Sequence, residues 1–159
     1  MASIIELEQK APNFEILNQD GELVKLKDFK TKSIVVLYFY PKAMTPGCTT
    51  QACGIRDAKR QLTSAGITVL GISPDLPAAL MKFKLKEKLN FDLLSDPDHA
   101  VAEAYGVWAL KKNYGKEYMG IVRSSFIVGI DGKVKHILAK VNTKTHHEDV
   151  LGWVKANLG

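Results

Sequence analysis

The longest apolar run in the sequence is Ile34-Val35-Val36-Leu37-Tyr38-Phe39-Tyr40, which is followed by a short break and then by Cys48. This continuous run of β-branched, aliphatic and aromatic side chains is typical of a strand covered on both faces of a mostly parallel sheet. After the break at residues 41–47, apolar residues recur at helical spacing as far as the stop signal Gly66, which predicts a helix from Cys48 to Ser64. A buried strand that feeds through a short turn into a helix indicates an α/β protein.

The same patterns predict the elements on either side of this unit. Before it lies a β-hairpin of Phe14–Leu17 and Leu23–Leu26 around a turn at residues 18–21. After it come a buried strand at Thr68–Ile72, a helix at Leu76–Leu89 with Asp75 as its N-cap, a strand at Leu93–Leu94, a short helix at Ala100–Tyr105 and a long loop at Gly106–Gly120. The chain ends with a hairpin of Ser124–Ile130 and Val134–Val141 around Asp131-Gly132, and with a helix from the capping-box pattern at Thr145 and Glu148 to Leu158.

One element has two possible readings, because apolar residues and lysines alternate from Met81 to Lys88 as they would in an amphipathic strand. The cap and the length of the segment favour a helix there. No linker, internal repeat or low-complexity segment divides the 159 residues. We therefore expect one α/β domain over residues 1–159, with an N-terminal β-hairpin and a central, mostly parallel sheet flanked by helices.

The composition suits a globular domain, since 46% of the residues are apolar and 25% are charged. A chain of this length can bury a core without disulfide staples. The longest apolar run, residues 34–40, is far shorter than the roughly 20 residues that a membrane helix needs. The leader at residues 1–12 carries Glu6 and Glu8, unlike a signal peptide. We therefore expect a soluble, cytoplasmic protein with no membrane partner.

The net charge of +5 raises the question of a nucleic-acid partner. Only three of the 22 basic residues are arginines, namely Arg56, Arg60 and Arg123, and the lysines are scattered along the chain. No basic cluster is interleaved with aromatic residues in the manner of a stacking platform. The densest lysine run, at residues 82–88, is interpreted as a solvated face, so no nucleic-acid binding is expected.

Cys48 lies at the start of a predicted helix, where unpaired N–H groups and the positive end of the helix dipole favour an anion such as a thiolate. The alternative is a small buried apolar residue, which is the more frequent role of a lone cysteine. Two neighbours favour the reactive role. Thr45 places a hydroxyl three residues upstream, able to bond the sulfur or its substrate, and Cys53 follows in the same helix.

The two cysteines lie five positions apart, which separates their Cα atoms by about 8.6 Å on an intact helix. A disulfide needs roughly 4.4 to 6.8 Å, so a bond between Cys48 and Cys53 requires the first turns to unwind. The pair is therefore interpreted as a switch rather than a structural clamp. A zinc site is not expected, because it would need two histidines besides the cysteines, and no histidine has a customary spacing from them. The four histidines are His99, His136, His146 and His147. We place the adjacent pair, His146 and His147, in the first turn of the last helix.

The motif Pro41-x-x-x-Thr45-x-x-Cys48 resembles the active-site motif of the peroxiredoxins. The surrounding segments 39–42 and 45–54 are similar to the bacterioferritin comigratory protein group, also called peroxiredoxin Q, and the likeness extends over nearly the whole chain. The resemblance implies a thioredoxin-like fold and a thiol-dependent peroxidase that reduces hydrogen peroxide and organic hydroperoxides. One departure is Gln51, where many peroxiredoxins carry glutamate. An amide can form a hydrogen bond but cannot balance the charge of an arginine.

The resemblance also implies a role for each motif residue. Cys48 is then the peroxidatic cysteine, Cys53 the resolving cysteine and Pro41 a shield for the pocket, while Thr45 and Arg123 bind and polarise the peroxide.

For thiols in general, a lower pKa raises the thiolate fraction but weakens the nucleophile, which leaves only a few-fold gain in rate. Most of the acceleration must then come from alignment and from donors to the leaving oxygen, which we assign to Thr45, Arg123 and the backbone N–H groups of Gly47 and Cys48. The alternative for Arg123 is an ordinary surface ion pair.

The expected cycle begins when the Cys48 thiolate attacks a hydroperoxide and becomes a sulfenic acid, which condenses with Cys53 to an intramolecular disulfide. An external dithiol reduces that bond, and the resemblance implies thioredoxin, in an antioxidant role. No metal, haem or flavin is required, and the lack of a second, distant cysteine for intermolecular resolution favours a monomer. A regulatory thiol switch that signals through its unwound form, without turnover, would use the same residues.

Overall fold

The central sheet of the computed structural model, which describes residues 5–158 apart from the side chain of Asn113, is built around the apolar run at residues 34–40. The strands are β1 (Glu15–Leu17), β2 (Leu23–Lys25), β3 (Ile34–Phe39), β4 (Ile67–Ser73), β5 (Asp92–Ser95), β6 (Trp108–Asn113), β7 (Lys116–Ile121), β8 (Ser124–Val128) and β9 (Val134–Leu138). The helices are α1 (Pro46–Asp57), α2 (Lys59–Ser64), α3 (Pro77–Glu87), α4 (Ala100–Ala104) and α5 (His146–Asn157). Within the described residues, no helix is long and apolar enough to cross a membrane.

The strand order of the central sheet is β5-β4-β3-β8-β9, and the sheet is mixed rather than mostly parallel. β3 pairs in parallel with β4, and β4 pairs in parallel with β5. On the other side, β8 lies antiparallel to β3, and β9 lies antiparallel to β8. The chain returns from β8 to β9 through a short loop, whereas a parallel return would need a longer crossover connection. The central position predicted for β3 is confirmed, since it has a partner on each edge.

Every residue of β3 is buried, and its alternate side chains serve two separate cores. Val36 and Tyr38 face a core formed with α1, α3 and α5, while Val35 and Leu37 face a second core formed with α4 and the N-terminal hairpin β1–β2. This burial on both faces explains why the sequence shows a continuous apolar run rather than alternation. β3 ends at Phe39, and the chain then leads through a short segment into α1 at Pro46, so α1 starts beyond the carboxyl end of the central strand.

Most of the predicted elements are confirmed within a few residues. The N-terminal hairpin, the strands β4 and β5 and the short helix α4 all occur where the pattern places them. The segment with two possible readings at Met81 to Lys88 forms most of α3 and the residue that follows it, so the helix is correct and the strand is not.

Two predicted elements are wrong. The helix expected from Cys48 to Ser64 starts at Pro46 and is interrupted at Ala58, which separates α1 from α2. The segment expected as a loop at residues 106–120 contains the antiparallel hairpin β6–β7. Its turn is formed by Tyr114 and Gly115 with φ of 52° and 79°, as two-residue hairpin turns require. The sequence pattern misses this hairpin because most of β7 is exposed and has no buried face to produce alternation.

Asp75 does not have the capping role predicted for it. It precedes Leu76, the actual N-cap residue of α3. Its carboxylate instead accepts hydrogen bonds from the Ala43 N–H at 2.8 Å and from the Ser73 hydroxyl at 2.7 Å. Asp75 thereby ties the segment that leads into α1 to the end of β4.

The C-terminal part of the chain follows the prediction with two local differences. Thr145 is the N-cap residue of α5, but its hydroxyl donates to Asp149 at 3.0 Å and forms no capping box with Glu148. β8 and β9 are paired as predicted, but residues 129–133 connect them in place of a two-residue turn. Within this loop the Gly129 N–H donates to the Lys133 carbonyl and the Gly132 N–H donates to the Gly129 carbonyl, both at 2.9 Å, and Gly132 adopts a left-handed φ of 81°.

Candidate active site

Cys48 lies in the first turn of α1, just beyond the carboxyl end of β3. Thr45 is the N-cap residue, in an extended conformation with φ −83° and ψ 155°, and Pro46 opens the helix. Proline suits this position because the N–H that it lacks would have no partner within the helix. Cys48 is 1% exposed, so its thiol lies in the core and not on the open surface.

Arg123 reaches this thiol from the neighbouring strand. It immediately precedes β8, and the antiparallel register pairs Ser124 with Phe39 at the end of β3. Its Nη2 donates a hydrogen bond to the Sγ of Cys48 at 3.2 Å. The sheet register therefore brings together two residues that lie 75 positions apart, and a surface ion pair does not describe Arg123.

Gln51 holds the other arm of the same guanidinium. Arg123 Nη1 donates to Gln51 Oε1 at 2.6 Å, and Gln51 is fully buried with 0% exposure. The two contacts fix the plane of the guanidinium against one face of α1. Because the partner is a neutral amide, the contact orients the arginine without neutralising its charge.

Thr45 and Pro41 both lie in the segment between β3 and Cys48, and the hydroxyl of Thr45 is not bonded to the sulfur. The Thr45 hydroxyl donates to the Lys42 carbonyl at 2.9 Å, so of its two expected partners, the sulfur or the substrate, the sulfur is not bonded here. Pro41 is half-buried directly after the strand run. The first backbone bond of α1 runs from the Thr49 N–H to the Thr45 carbonyl, which leaves the N–H groups of Gly47 and Cys48 without partners in the helix.

Cys53 lies on the same helix and is half-buried. Both cysteines are free thiols, and the intact helix between them keeps their Cα atoms about 8.6 Å apart. The Sγ of Cys53 donates to Glu87 Oε2 at 3.6 Å. Burial raises the pKa of the Cys53 thiol, and the bond to Glu87 raises it further, against the opposing effect of Arg56.

Known proteins resemble this chain over most of its length. Residues 7–137 match the AhpC/TSA family. Peroxiredoxin Bcp of Escherichia coli (strain K12) is 54% identical over 145 residues, which are 91% of this chain and 92% of that protein. This chain belongs to the peroxiredoxins.

Two further relatives of this peroxiredoxin support the assignment. Peroxiredoxin Bcp of Bacillus subtilis (strain 168) is 49% identical over 151 residues, 95% of this chain and 96% of the relative. A solved structure of the bacterioferritin comigratory protein of Xanthomonas campestris matches with a TM-score of 0.89 at 31% identity and covers 100% of both chains. The predicted thioredoxin-like fold and the predicted class, a thiol-dependent peroxidase, are confirmed.

A buried pair of polar residues, Ser125 and His146, lies near the site of this peroxiredoxin and is not predicted from the sequence. Ser125 Oγ and His146 Nε2 share a hydrogen bond of 2.6 Å. Burial, with smaller contributions from the charges of His147 and Arg123, lowers the pKa of His146 to about 4, so the imidazole is neutral at pH 7. The sequence places His146 correctly in the first turn of the last helix but carries no signal for its partner.

The described residues offer no alternative centre of metal chemistry. Residues 5–158 contain no group of three or more His, Cys, Asp or Glu side chains that could hold a metal ion.

Proposed function

We propose that this peroxiredoxin reduces hydrogen peroxide and organic hydroperoxides at Cys48 and closes a Cys48–Cys53 disulfide in each turnover. The observation that carries the proposal is the hydrogen bond from Arg123 to the Cys48 sulfur at the N-terminus of α1. A cationic donor and a helix N-terminus both stabilise an anionic sulfur. The Xanthomonas campestris relative is described by its alkyl peroxide reduction activity, which supports the same substrate class here.

In the first step, the Cys48 thiolate attacks the hydroxyl oxygen of the hydroperoxide. The O–O bond breaks, its electron pair leaves with the second oxygen, and that hydroxide or alkoxide takes a proton from solvent. Cys48 becomes a sulfenic acid. The sulfur is oxidised by two electrons, and the peroxide is reduced by the same number.

The donors around Cys48 supply most of the acceleration. Negative charge develops on the leaving oxygen, and preorganised donors act most strongly on charge that appears only in the transition state. We assign this role to Arg123 and to the N–H groups of Gly47 and Cys48. The Thr45 hydroxyl donates its proton to the Lys42 carbonyl, so we assign to its oxygen the role of accepting the O–H of the incoming hydroperoxide and orienting it. We assign to Pro41 the role of a wall that limits access of water to the thiol.

In the second step, the Cys53 thiol attacks the oxidised sulfur of Cys48. The S–S bond forms, the S–O bond breaks, and the hydroxyl group leaves as water with the thiol proton. The first turns of α1 must unwind, since the helix holds the pair beyond disulfide reach. We further propose that thioredoxin reduces the disulfide, and that the protein works as a cytoplasmic monomer, since both reacting cysteines lie in one helix.

A coupled assay with thioredoxin, its reductase and NADPH tests the cycle. Cys48→Ser should abolish peroxide consumption, and surviving activity would contradict the role of Cys48. Cys53→Ser should accumulate sulfenic acid and lose turnover, whereas normal turnover would mean that the reductant acts on the sulfenic acid directly. Thr63→Ser, an equally conservative change at an exposed position of α2, serves as the control and should match the wild type.

Mass spectrometry after one equivalent of peroxide tests the disulfide itself. The peptide that contains Cys48 and Cys53 should lose two hydrogen atoms. A burst of oxidation that stops after one equivalent, even with thioredoxin present, would instead favour the regulatory thiol switch.

A further inference from the structure

Glu87, the last residue of α3, is held by two residues that lie one turn apart on α1. Cys53 donates to its carboxylate at 3.6 Å, and Arg56 Nη1 donates to its backbone carbonyl at 2.6 Å. Asn90 adds a bond from its Nδ2 to the Arg56 carbonyl at 3.2 Å. These hydrogen bonds attach the second half of α1 to the end of α3, and Cys53 is the one thiol among them.

The last turn of α3 is capped by backbone hydrogen bonds and does not use the Glu87 carboxylate, which accepts its bond from Cys53. Lys88 adopts the left-handed conformation with φ 52°, and the Leu89 N–H donates to the Lys84 carbonyl at 2.9 Å, the pattern of a Schellman C-cap. The Glu87 carbonyl is one of the last carbonyls, which have no partner within the helix. The guanidinium of Arg56 satisfies it and also complements the negative end of the helix dipole.

The charged groups around Cys53 act in opposite directions. On its own helix, Arg56 favours the thiolate and Asp57 opposes it. From α3, Glu87 opposes the thiolate through both its charge and its hydrogen bond. From α5, His147 packs against the adjacent Gly54, where an added Cβ would lie 2.6 Å from its Nδ1. Burial is the largest influence, and together with Glu87 and Asp57 it outweighs Arg56, so the pKa of Cys53 lies above its ordinary value and Cys53 rests as a thiol.

We propose that Glu87 is a positioning residue that retains Cys53 as a protonated thiol on folded α1 and so delays the resolving step. The proposal rests on the role of Cys53 as the resolving cysteine proposed above. The bond from the thiol to the carboxylate must break before Cys53 can move towards Cys48, whereas the bond from Arg56 to the Glu87 carbonyl need not. Glu87 therefore helps to set how long Cys48 persists as a sulfenic acid.

The first test measures the hold of Glu87 on Cys53 without any peroxide chemistry. In a Cys48→Ser background, Cys53 is the sole cysteine, and its rate of alkylation by iodoacetamide is followed against pH. Adding Glu87→Gln should move the midpoint of this profile to lower pH, because the amide carries no charge. Adding Glu103→Gln, which removes a carboxylate from the exposed face of α4, should leave it in place. An unmoved midpoint in the Glu87→Gln protein overturns the proposal.

The second test measures the delay in the protein that retains both cysteines. After one equivalent of hydrogen peroxide, rapid acid quench and mass spectrometry follow the conversion of sulfenic acid to disulfide. Glu87→Gln should accelerate this step about fivefold, the difference between a hydrogen bond to a charged acceptor and one to a neutral acceptor. It should also yield less sulfinic acid when peroxide is in excess.

Two outcomes of the second test overturn the proposal in distinguishable ways. A conversion rate equal to that of the wild type and of Glu103→Gln overturns the delay alone. If the wild type forms no disulfide at all, the proposed function fails and the delay fails with it, while the alkylation profile still reports whether Glu87 holds Cys53.

Discussion

Replacing Arg123 by lysine separates the effect of a positive charge from that of a planar guanidinium. One arm of Arg123 donates to Gln51 at 2.6 Å and the other to Cys48 at 3.2 Å. A single ammonium group on a flexible stem cannot reproduce these two directions at once. Loss of one directed donor in a transition state typically costs about 10² to 10³ in rate. We therefore expect Arg123→Lys to react with hydrogen peroxide about 100-fold more slowly, equivalent to about 2.7 kcal/mol of activation free energy.

The measurement is the second-order rate constant for loss of the Cys48 thiol, obtained by rapid mixing with peroxide and alkylation of the remaining thiol. Arg60→Lys makes the same change at an exposed position of α2 and should react like the wild type. Circular dichroism of both variants checks that they are folded. If Arg123→Lys reacts as fast as Arg60→Lys, charge alone suffices and the role assigned to the guanidinium is refuted.

Two further predictions concern stability and are measured by urea unfolding. Gly54→Ala should lower the free energy of unfolding by about 1 to 3 kcal/mol, because the new Cβ would lie 2.6 Å from His147 Nδ1. In the control Gly152→Ala, the new Cβ meets no atom within 4 Å and should stabilise α5 by up to about 1 kcal/mol. Equal shifts in the two variants would contradict the close packing of α1 on α5. Folding lowers the pKa of His146 from 6.5 to about 4, chiefly by burial. As the pH falls from 6.5 to 4, the unfolded chain therefore binds this proton before the folded protein does. The free energy of unfolding should decrease over this range by up to about 3 kcal/mol. His146→Gln should flatten that dependence between pH 6.5 and 4, and an unchanged slope would show that the buried imidazole is not its source.

The sequence predicts this fold best where burial leaves a pattern. β3 can be predicted because both of its faces are buried, which produces a continuous apolar run. The helix after it can be predicted because the apolar side chains of α1 face one core and recur at helical spacing. The hairpin β6–β7 escapes prediction because its exposed side chains follow no such constraint. Asp75 is misassigned because its carboxylate bonds to Ala43, 32 residues away, a contact that overrides the local preference for a cap.

The residues of the candidate site also differ in whether the local sequence predicts them. The positions of Cys48 and Thr45 follow from the turn before α1, and the motif identifies Arg123 by resemblance. The contact between Cys53 and Glu87 depends instead on how α1 packs against the end of α3. Such a contact has no local pattern, since a glutamate at the end of a lysine-rich helix looks like any solvated residue.

The interruption at Ala58 bears on how the enzyme recovers after each turnover. Ala58, with φ −92° and ψ 5°, ends the regular ladder of α1, and beyond it α2 is anchored by Leu62, which is 1% exposed. In the proposed cycle, the unwinding of α1 that begins at Cys48 stops at Ala58, and α2 stays packed against the core. Once the thiols are restored, α1 regrows from an anchored neighbour and needs no new nucleus. Helix formation takes on the order of 0.1 to 1 μs, so rewinding is too fast to limit turnover.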